Sequence, residues 1–374
     1  MRSLSGLLRY LEAELPRLQK MRILAGFDGF IDTIARPVKT TRTGGSEYFR
    51  TIEEFGAFIA GHGHKSLSLQ YDVLTRKAGG NMPNFVKALD ALSLYTIAVG
   101  MLGTSAIDPL FADLGRERYS YCTAGTATAL EFEDGKVFLS PAGIPPELRQ
   151  TRAFDRVEAA YPELCRTTTD AELLAFLNWS ELSFAEDLWD DLYTHVLCSA
   201  GADKCRFVFF DLCDTGAKNP EEIDRILGLI ARMGERRAAI LSLNKNEALD
   251  LYHKCCVKDA LHDVGDTPDL AFAAEQLRIK SGAEEVVIHQ HSESLAAFKS
   301  GTQSGLARES CVLNRQPKIS TGAGDHFNAA YCFATLALLG PAEKLRFANA
   351  YSGAYIASGI SPCLQDLDGG KKEP

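Results

Sequence analysis

The chain has 374 residues, of which 46% are hydrophobic and 24% charged, so it can bury a large globular core. A net charge of −9 leaves no broad basic surface, which argues against a nucleic-acid-binding protein. No apolar run reaches the ~18 residues of a membrane span, and charges come too early for a signal peptide, so we expect a cytoplasmic protein without a membrane partner.

The apolar pattern predicts an alternation of strands and helices along most of the chain. A helix over residues 4–19 precedes a buried strand over 22–26, and a helix at 48–59, a strand at 67–74 and a hairpin at 126–140 suggest a small separate sheet. Further strands are predicted at 95–100, 173–177, 207–210, 238–243 and 285–289, and further helices at 84–94, 184–197, 221–233, 271–280 and 327–339. This order predicts an α/β fold whose mostly parallel central sheet is covered by helices on both faces.

The most informative motif is the turn of small residues that ends at Asp325. Gly322, Ala323 and Gly324 allow backbone N–H groups to approach an anion closely, and the helix that follows points its positive end at the same place. Asp325 then stands where a base can meet a substrate hydroxyl. Taken alone, these four residues are explained equally well as a tight turn with a helix cap.

A second turn of small residues, Gly79-Gly80, leads into the predicted helix at 84–94. Asn81 and Asn84 follow it, and their side-chain amides offer the donors and acceptors that suit sugar hydroxyls. Such a segment also occurs as an ordinary turn with a helix N-cap.

Two aspartates, Asp28 and Asp32, come just after the strand at 22–26, on the side where open α/β sheets place their ligands. As hydroxyl acceptors they would suit a polyol. Aspartate after a strand is also a common turn former, so the two positions allow a purely structural explanation.

Asn244 and Glu247 lie three residues apart at the start of a helix that follows a strand. This spacing lets both side chains face one point, where they could hold Mg²⁺ through its waters. A helix capping box fits the same spacing. The sequence contains no phosphate-binding G-x-x-x-x-G-K-[ST] loop, which excludes a P-loop enzyme.

These segments, in this order and at this spacing, resemble the ribokinase family of PfkB-type carbohydrate kinases over about residues 23–359. The resemblance implies a three-layer ribokinase-like fold in one domain spanning 1–374, with a small β lid from about 33–78 and 124–143. It implies Mg²⁺ and ATP as cofactor and co-substrate. Residues 368–374 are expected to form a flexible tail.

The resemblance also implies roles for the motif residues. Asp325 would be the catalytic base, the turn before it the anion hole, and Asn244 and Glu247 the residues linked to Mg²⁺ and phosphate. The sugar would contact Asp28 or Asp32, Gly79, Gly80, Asn81, Asn84 and Asn178, the last at a strand end where many relatives place a polar residue. Asn349 lies in a segment similar to the helix that flanks the nucleotide, and His289 stands in the family's usual Thr-x-Gly nucleotide loop, here His-Gln-His.

The sequence thus predicts a kinase that transfers the γ-phosphoryl group of ATP to a hydroxyl of a sugar or sugar-like molecule, with Asp325 as general base. Its expected partners are a small sugar and a nucleotide, with a homodimer as one possible assembly. A nucleoside kinase of the same family and a sugar-binding sensor without activity remain alternatives. The altered nucleotide loop favours the sensor, and the intact base and turn favour the enzyme.

Overall fold

The computed structural model describes residues 2–42, 45–141, 143–163, 170–198, 204–257, 269–312, 314 and 317–367. Its strands, in chain order, are β1 (Arg22–Gly26), β2 (Phe30–Arg42), β3 (Gly45–Tyr48), β4 (Tyr71–Gly79), β5 (Tyr95–Gly100), β6 (Glu117–Ser120), β7 (Gly125–Phe132), β8 (Gly135–Leu139), β9 (Leu173–Leu177), β10 (Phe207–Asp211), β11 (Ala238–Asn244), β12 (Glu285–His289), β13 (Glu293–Ser300) and β14 (Gln303–Ser310). The helices of the described residues are α1 (Leu4–Leu18), α2 (Ile52–Ala60), α3 (Asn81–Ala91), α4 (Ala153–Ala160), α5 (Ala185–Leu192), α6 (Pro220–Gly234), α7 (Lys245–Cys256), α8 (Leu270–Ser281), α9 (Ala323–Leu336) and α10 (Pro341–Ser358).

The central sheet has nine strands in the order β14-β13-β12-β11-β10-β9-β1-β5-β6. The seven strands from β12 to β6 in this order run parallel, and the hairpin β13–β14 adds an antiparallel edge. Parallel strands are covered on both faces, which explains why β9, with the sequence Leu-Leu-Ala-Phe-Leu, is buried throughout. The mostly parallel sheet predicted from the sequence is confirmed.

Helices cover both faces of this sheet through two large apolar layers. Helices α1, α3, α9 and α10 pack into one layer, and helices α4 to α8 pack into the other. Helix α9 is buried at every position from His326 to Leu336, as its nearly unbroken apolar sequence requires. The core therefore holds the first turn of α9 firmly against the carboxyl edge of the sheet.

A second sheet of five strands stands beside the first, in the order β3-β2-β7-β8, with β4 on the other side of β2. Phe55 of α2 packs against Phe49 and Phe132 on one face of this second sheet. Tyr71 and Phe138 lie half exposed on its strands. Its small apolar cluster is far less extensive than the layers of the central sheet.

Several predicted boundaries of helices and strands are wrong. The helix expected at 48–59 begins only at Ile52, because the hydroxyl of Thr51 accepts a hydrogen bond from the Glu54 amide and caps it. The strand expected at 67–74 begins at Tyr71 and continues to Gly79. Residues 293–310, for which the sequence predicts no element, form the hairpin β13–β14.

Two helices near the site also begin earlier than predicted. Helix α3 begins at Asn81 rather than at the predicted Asn84, and helix α9 begins at Ala323, so that Asp325 lies within its first turn rather than ahead of the helix. The helix predicted at 184–197 ends at Leu192 and passes into a wider turn. None of the helices in the described ranges is long and apolar enough to cross a membrane. The predicted tail, residues 368–374, lies outside the described residues.

Candidate active site

The parallel strands of the central sheet present polar residues at their carboxyl ends. Asp28 follows β1, Asn178 follows β9, and Asp211, Asn244 and His289 end β10, β11 and β12. Because these strands are neighbours and run the same way, the five residues meet at one edge of the sheet. Helices α3 and α9 bring the two glycine turns to the same edge.

Asp28 is fully buried and accepts three hydrogen bonds. The backbone N–H groups of Asn81 and Met82 donate to its two oxygens at 2.7 and 2.8 Å, and the side chain of Asn178 donates at 2.8 Å. Burial raises the pKa of Asp28 to about 6, since the three bonds offset only part of the desolvation. The carboxylate of Asp28 therefore fixes the start of α3 as well as the end of β9.

Both glycines of the turn Gly79-Gly80 lie against these acids. A Cβ atom at Gly79 would lie 2.2 Å from a carboxylate oxygen of Asp32, and one at Gly80 would lie 2.5 Å from an oxygen of Asp28. Gly80 also has φ of +98°, which other residues rarely adopt. The glycines are thus explained by close approach of the backbone to the two aspartates.

Asp32 lies inside strand β2 of the second sheet, not in the turn that the sequence suggested. It is buried, and it lies opposite Lys77 across the β2–β4 pair. Burial raises its pKa, and Lys77 and Lys136 partly oppose that effect. Among the described residues it accepts no hydrogen bond, so its carboxylate is free to take a ligand hydroxyl.

Asn178 has φ of +64° directly after β9, in the left-handed region that asparagine tolerates better than most residues. Its Nδ2 donates to Asp28, while its Oδ1 is buried without a partner among the described residues. A buried acceptor without a donor is uncommon. This oxygen can accept a hydroxyl donor from a ligand beside Asp28.

Helix α3 connects the two glycine turns through its asparagines. The side-chain amide of Asn84 donates to Asp325 at 2.9 Å, and the side-chain amide of Asn81 donates to Asp211 at 3.2 Å. Asn81, Asn84 and Asp325 are therefore brought together, although about 240 residues separate the two segments in sequence.

Asp325 lies in the first turn of α9 beside other acids. Desolvation raises its pKa well above the ordinary value, and the charge of Asp211 raises it further, with smaller effects from Asp28 and Glu247. The hydrogen bond from Asn84 acts in the opposite direction. A carboxylate with a raised pKa is a stronger base once it has lost its proton.

The turn before Asp325 depends on Gly322, which has φ of +86° and caps α9. A Cβ atom there would lie 3.1 Å from the Tyr355 hydroxyl and 3.3 Å from the Asn84 amide. The N–H of Ala323 donates to the carbonyl of Ser320 at 3.2 Å. Because an α-helix leaves its first amides without intrahelical acceptors, Gly324 and Asp325 can offer theirs to an anion.

Asn244 and Glu247 form a full capping box at the start of α7. The Glu247 side chain accepts from the backbone N–H of Asn244 at 2.8 Å and from the Nδ2 of the same residue at 2.6 Å. Burial and the charge of Asp211 raise the pKa of Glu247 to about 8. The helix cap that the sequence offered as an alternative explanation is therefore present. The Glu247 carboxylate also lies close enough to Asp211 for the charge of Asp211 to raise its pKa.

Asp211 is a candidate site residue that the sequence motifs did not reveal. Its Oδ2 accepts from the side chains of Asn81 and Asn328, the latter at 2.8 Å, and its Oδ1 accepts from the Cys213 amide. Asn328 is held in turn by the Ser242 hydroxyl at 2.6 Å. The sequence signal that could have identified Asp211 was a polar residue at the end of a buried strand, which is also the pattern at Asn244.

The predicted nucleotide residues fall into two groups. His289 packs its ring on Phe327, and a Cβ at Gly324 would lie 3.3 Å from it, so this histidine borders the turn. Burial lowers the pKa of His289 to about 4, which keeps the ring neutral. Asn349 instead donates to the carbonyl of Glu309 at 3.4 Å, against β14, and makes no hydrogen bond with the site residues named above.

Comparison with known proteins identifies the family of the chain. A family model described as prokaryotic ketohexokinase matches residues 6–370. The ketohexokinase of Haloferax volcanii is 25% identical over 364 residues, which cover 94% of this chain and 91% of that protein. The ribokinase resemblance seen in the sequence is thus confirmed.

Solved structures share the fold. Adenosine kinase from Sinorhizobium meliloti has a TM-score of 0.62 at 15% identity, over 93% of this chain and 97% of that one. Arabidopsis thaliana ribokinase, complexed with ribose and ATP, has a TM-score of 0.58 at 17% identity, over 93% and 97%. The predicted ribokinase-like fold is confirmed. The chain belongs to the prokaryotic ketohexokinase family, and it is an ATP-dependent carbohydrate kinase.

Proposed function

We propose that the protein phosphorylates a hydroxyl of a ketohexose, with D-fructose as the first candidate and Asp325 as the general base. The observation that carries this proposal is the hydrogen bond of 2.9 Å between Asn84 and Asp325. It joins the glycine turn beside Asp28 and Asp32 to the acid at the start of α9. A polyol held by the two aspartates would therefore have a base within reach.

In this mechanism the substrate hydroxyl attacks the γ-phosphorus of ATP while Asp325 takes the hydroxyl proton. The bond from phosphorus to the bridging oxygen breaks, and ADP leaves. The amides of Gly324 and Asp325 meet the charge that develops on the transferred group, and Gly322 shapes the turn that presents them. Ala323 belongs to the proposed anion hole as the residue that joins the two glycines, since its own N–H donates to the carbonyl of Ser320.

The acids of the site fit a hydrated magnesium ion. The charge of Asp211 raises the pKa of both Glu247 and Asp325, and the charge of Glu247 also raises that of Asp325, which is the electrostatic setting that a divalent cation relieves. The described residues contain no group of three or more side chains that could coordinate a metal directly. We therefore propose that Glu247 and Asn244 hold Mg²⁺ through water, where it would neutralise phosphate charge.

The acceptor end of the proposed site, which is the part around Asp28 and Asp32 where the phosphoryl acceptor would bind, favours a sugar over a nucleoside. Asp28, Asp32, Asn178 and Asn81 supply carboxylate and amide groups for several hydroxyls. We further propose that the second sheet, whose strand β2 carries Asp32, acts as the lid. His289 is proposed to border the nucleotide phosphates, and Asn349 to lie on the more distant nucleotide side.

Coupled ADP release tests the proposal with D-fructose, other ketohexoses, D-ribose, D-glucose, adenosine and inosine, each with Mg²⁺ and with EDTA. We expect turnover with a ketohexose that EDTA abolishes. Faster turnover with adenosine or inosine would make the protein a nucleoside kinase. Binding of a sugar by calorimetry with no ADP release from any acceptor would identify a sensor and overturn the proposed activity.

A further inference from the structure

The turn that presents the proposed anion hole is held at three successive carbonyl groups by side chains from outside it. Each donor comes from α9 or α10. Tyr355 donates to the carbonyl of Thr321 at 2.9 Å, His326 to that of Gly322 at 2.7 Å, and Ser352 to that of Ala323 at 2.9 Å.

His326 is the most constrained of these donors. It is 2% exposed, its ring stacks on Tyr355 with centroids 3.5 Å apart, and its Nε2 lies 2.8 Å from the Ser361 hydroxyl. The Gly322 carbonyl can only accept, so Nδ1 must carry the proton. Nε2 of the neutral ring then accepts from Ser361, which fixes both the ring plane and the tautomer.

These bonds fix the orientation of the peptide groups in the turn. When the carbonyl of a peptide group is held on one side, its N–H points to the other. Gly322, in the left-handed region, joins the turn to α9, and its carbonyl accepts from the Nδ1 of His326 and from the backbone N–H of the same residue at 3.0 Å. The N–H of this peptide group, that of Ala323, donates to the carbonyl of Ser320. The bond from His326 thus opposes rotation of the peptide group that enters the helix.

We propose that His326 is a positioning residue for phosphoryl transfer, acting through the Gly322 carbonyl and itself fixed by Ser361. This proposal rests on the proposed function. His326 would not touch the substrate. Its contribution would be to hold the first turn of α9 in the geometry that meets the transferred phosphoryl group, so its loss should affect the transition state more than ground-state binding.

Three variants separate this role from simple packing. His326→Phe keeps an aromatic ring against Tyr355 and removes the donor. His326→Asn loses the stack but can still donate an amide hydrogen to the Gly322 carbonyl. Thr335→Val is the matched control, because it removes a buried side-chain bond to a carbonyl on the same helix, away from the turn.

For His326→Phe we expect kcat to fall about 10- to 100-fold, while KM for sugar and ATP stays within about threefold. His326→Asn should recover much of kcat, and Thr335→Val should keep it. ADP with aluminium fluoride, a mimic of the transferred group, should bind more weakly to His326→Phe than to the wild type, whereas ATP should bind equally. Unchanged kcat in His326→Phe, or losses in kcat that follow thermal stability across all three variants, would overturn the positioning role. Absence of turnover in the wild type would instead refute the proposed function.

Discussion

The two ends of the proposed site are built differently. At the transfer end, Asp325 and the turn before it begin a helix that is buried from His326 to Leu336, and three carbonyls of that turn are held by side chains. At the acceptor end, Asp32 lies on the small second sheet and accepts no hydrogen bond from the described residues. Asn178 there also has a buried oxygen without a described partner.

This difference indicates a division of labour between rigid and adaptable parts. Catalytic charge stabilisation works best when the donors are oriented before the substrate arrives. Sugar recognition instead requires acceptors that the ligand hydroxyls can satisfy. Substitutions at the transfer end should therefore lower kcat, and substitutions on the second sheet should mainly raise KM for the sugar.

After the loss of the base Asp325 itself, the largest of these effects is expected for Gly322→Ala. A Cβ atom would force a non-glycine residue into φ of +86° and press on Tyr355 and Asn84. We expect kcat to fall about 100-fold, comparable to losing an oxyanion donor. The control is Gly340→Ala, since Gly340 also caps a helix but has φ of −72° and no heavy atom within 4 Å of the added Cβ. Steady-state kinetics that show equal losses in both variants would contradict a special role for the turn.

A smaller effect, and one of the opposite kind, is expected for Asp32→Asn. Replacing the carboxylate by an amide weakens a charge-assisted bond to a hydroxyl, so KM for the sugar should rise about 10- to 30-fold with kcat nearly unchanged. Asp72→Asn serves as the control, because Asp72 is an exposed carboxylate on the neighbouring strand that binds Tyr48. A fall in kcat with constant KM would place Asp32 at the transfer end instead.

The smallest effect is a shift in pH dependence on removing the charge of Asp211. Asp325 must lose its proton to act as a base, so activity falls as the pH drops through its raised pKa. Asp211→Asn lowers that pKa, and the acid limb of kcat/KM should move to lower pH. A profile of kcat/KM from about pH 5 to 9 measures this. An unmoved limb, or a shift to higher pH, would show that Asp211 does not control the base.

The sequence predicted the fold well because its signals are local. Strands such as Leu173–Leu177 and Glu285–His289 are short apolar runs bounded by turns, and their alternation with helices implies a parallel sheet. The strand Phe30–Arg42 was missed because its charges and Pro37 interrupt the alternating pattern. Its partners β4 and β7 lie far along the chain, and pairing at that range leaves no local trace.

The same reason divides the candidate site residues that the sequence predicted from those that it did not. Asp325, Asn84 and Asp28 were predicted because glycine turns mark places where the backbone approaches a ligand or an acid. Asp211 has no such turn, and only the fold shows that its charge acts on Asp325 and Glu247. The hydrogen bond that His326 accepts from Ser361 spans 35 residues without any motif, so it became visible only in three dimensions.

The most direct test of the account is Asp325→Asn. The amide keeps the size of the side chain and can still accept the hydrogen bond from Asn84, but it cannot take a proton from the substrate. We expect kcat to fall at least about 1,000-fold with the ketohexose, while calorimetry shows sugar and ATP binding within about threefold of the wild type. A kcat within about tenfold of the wild type would contradict the assignment of Asp325 as the base.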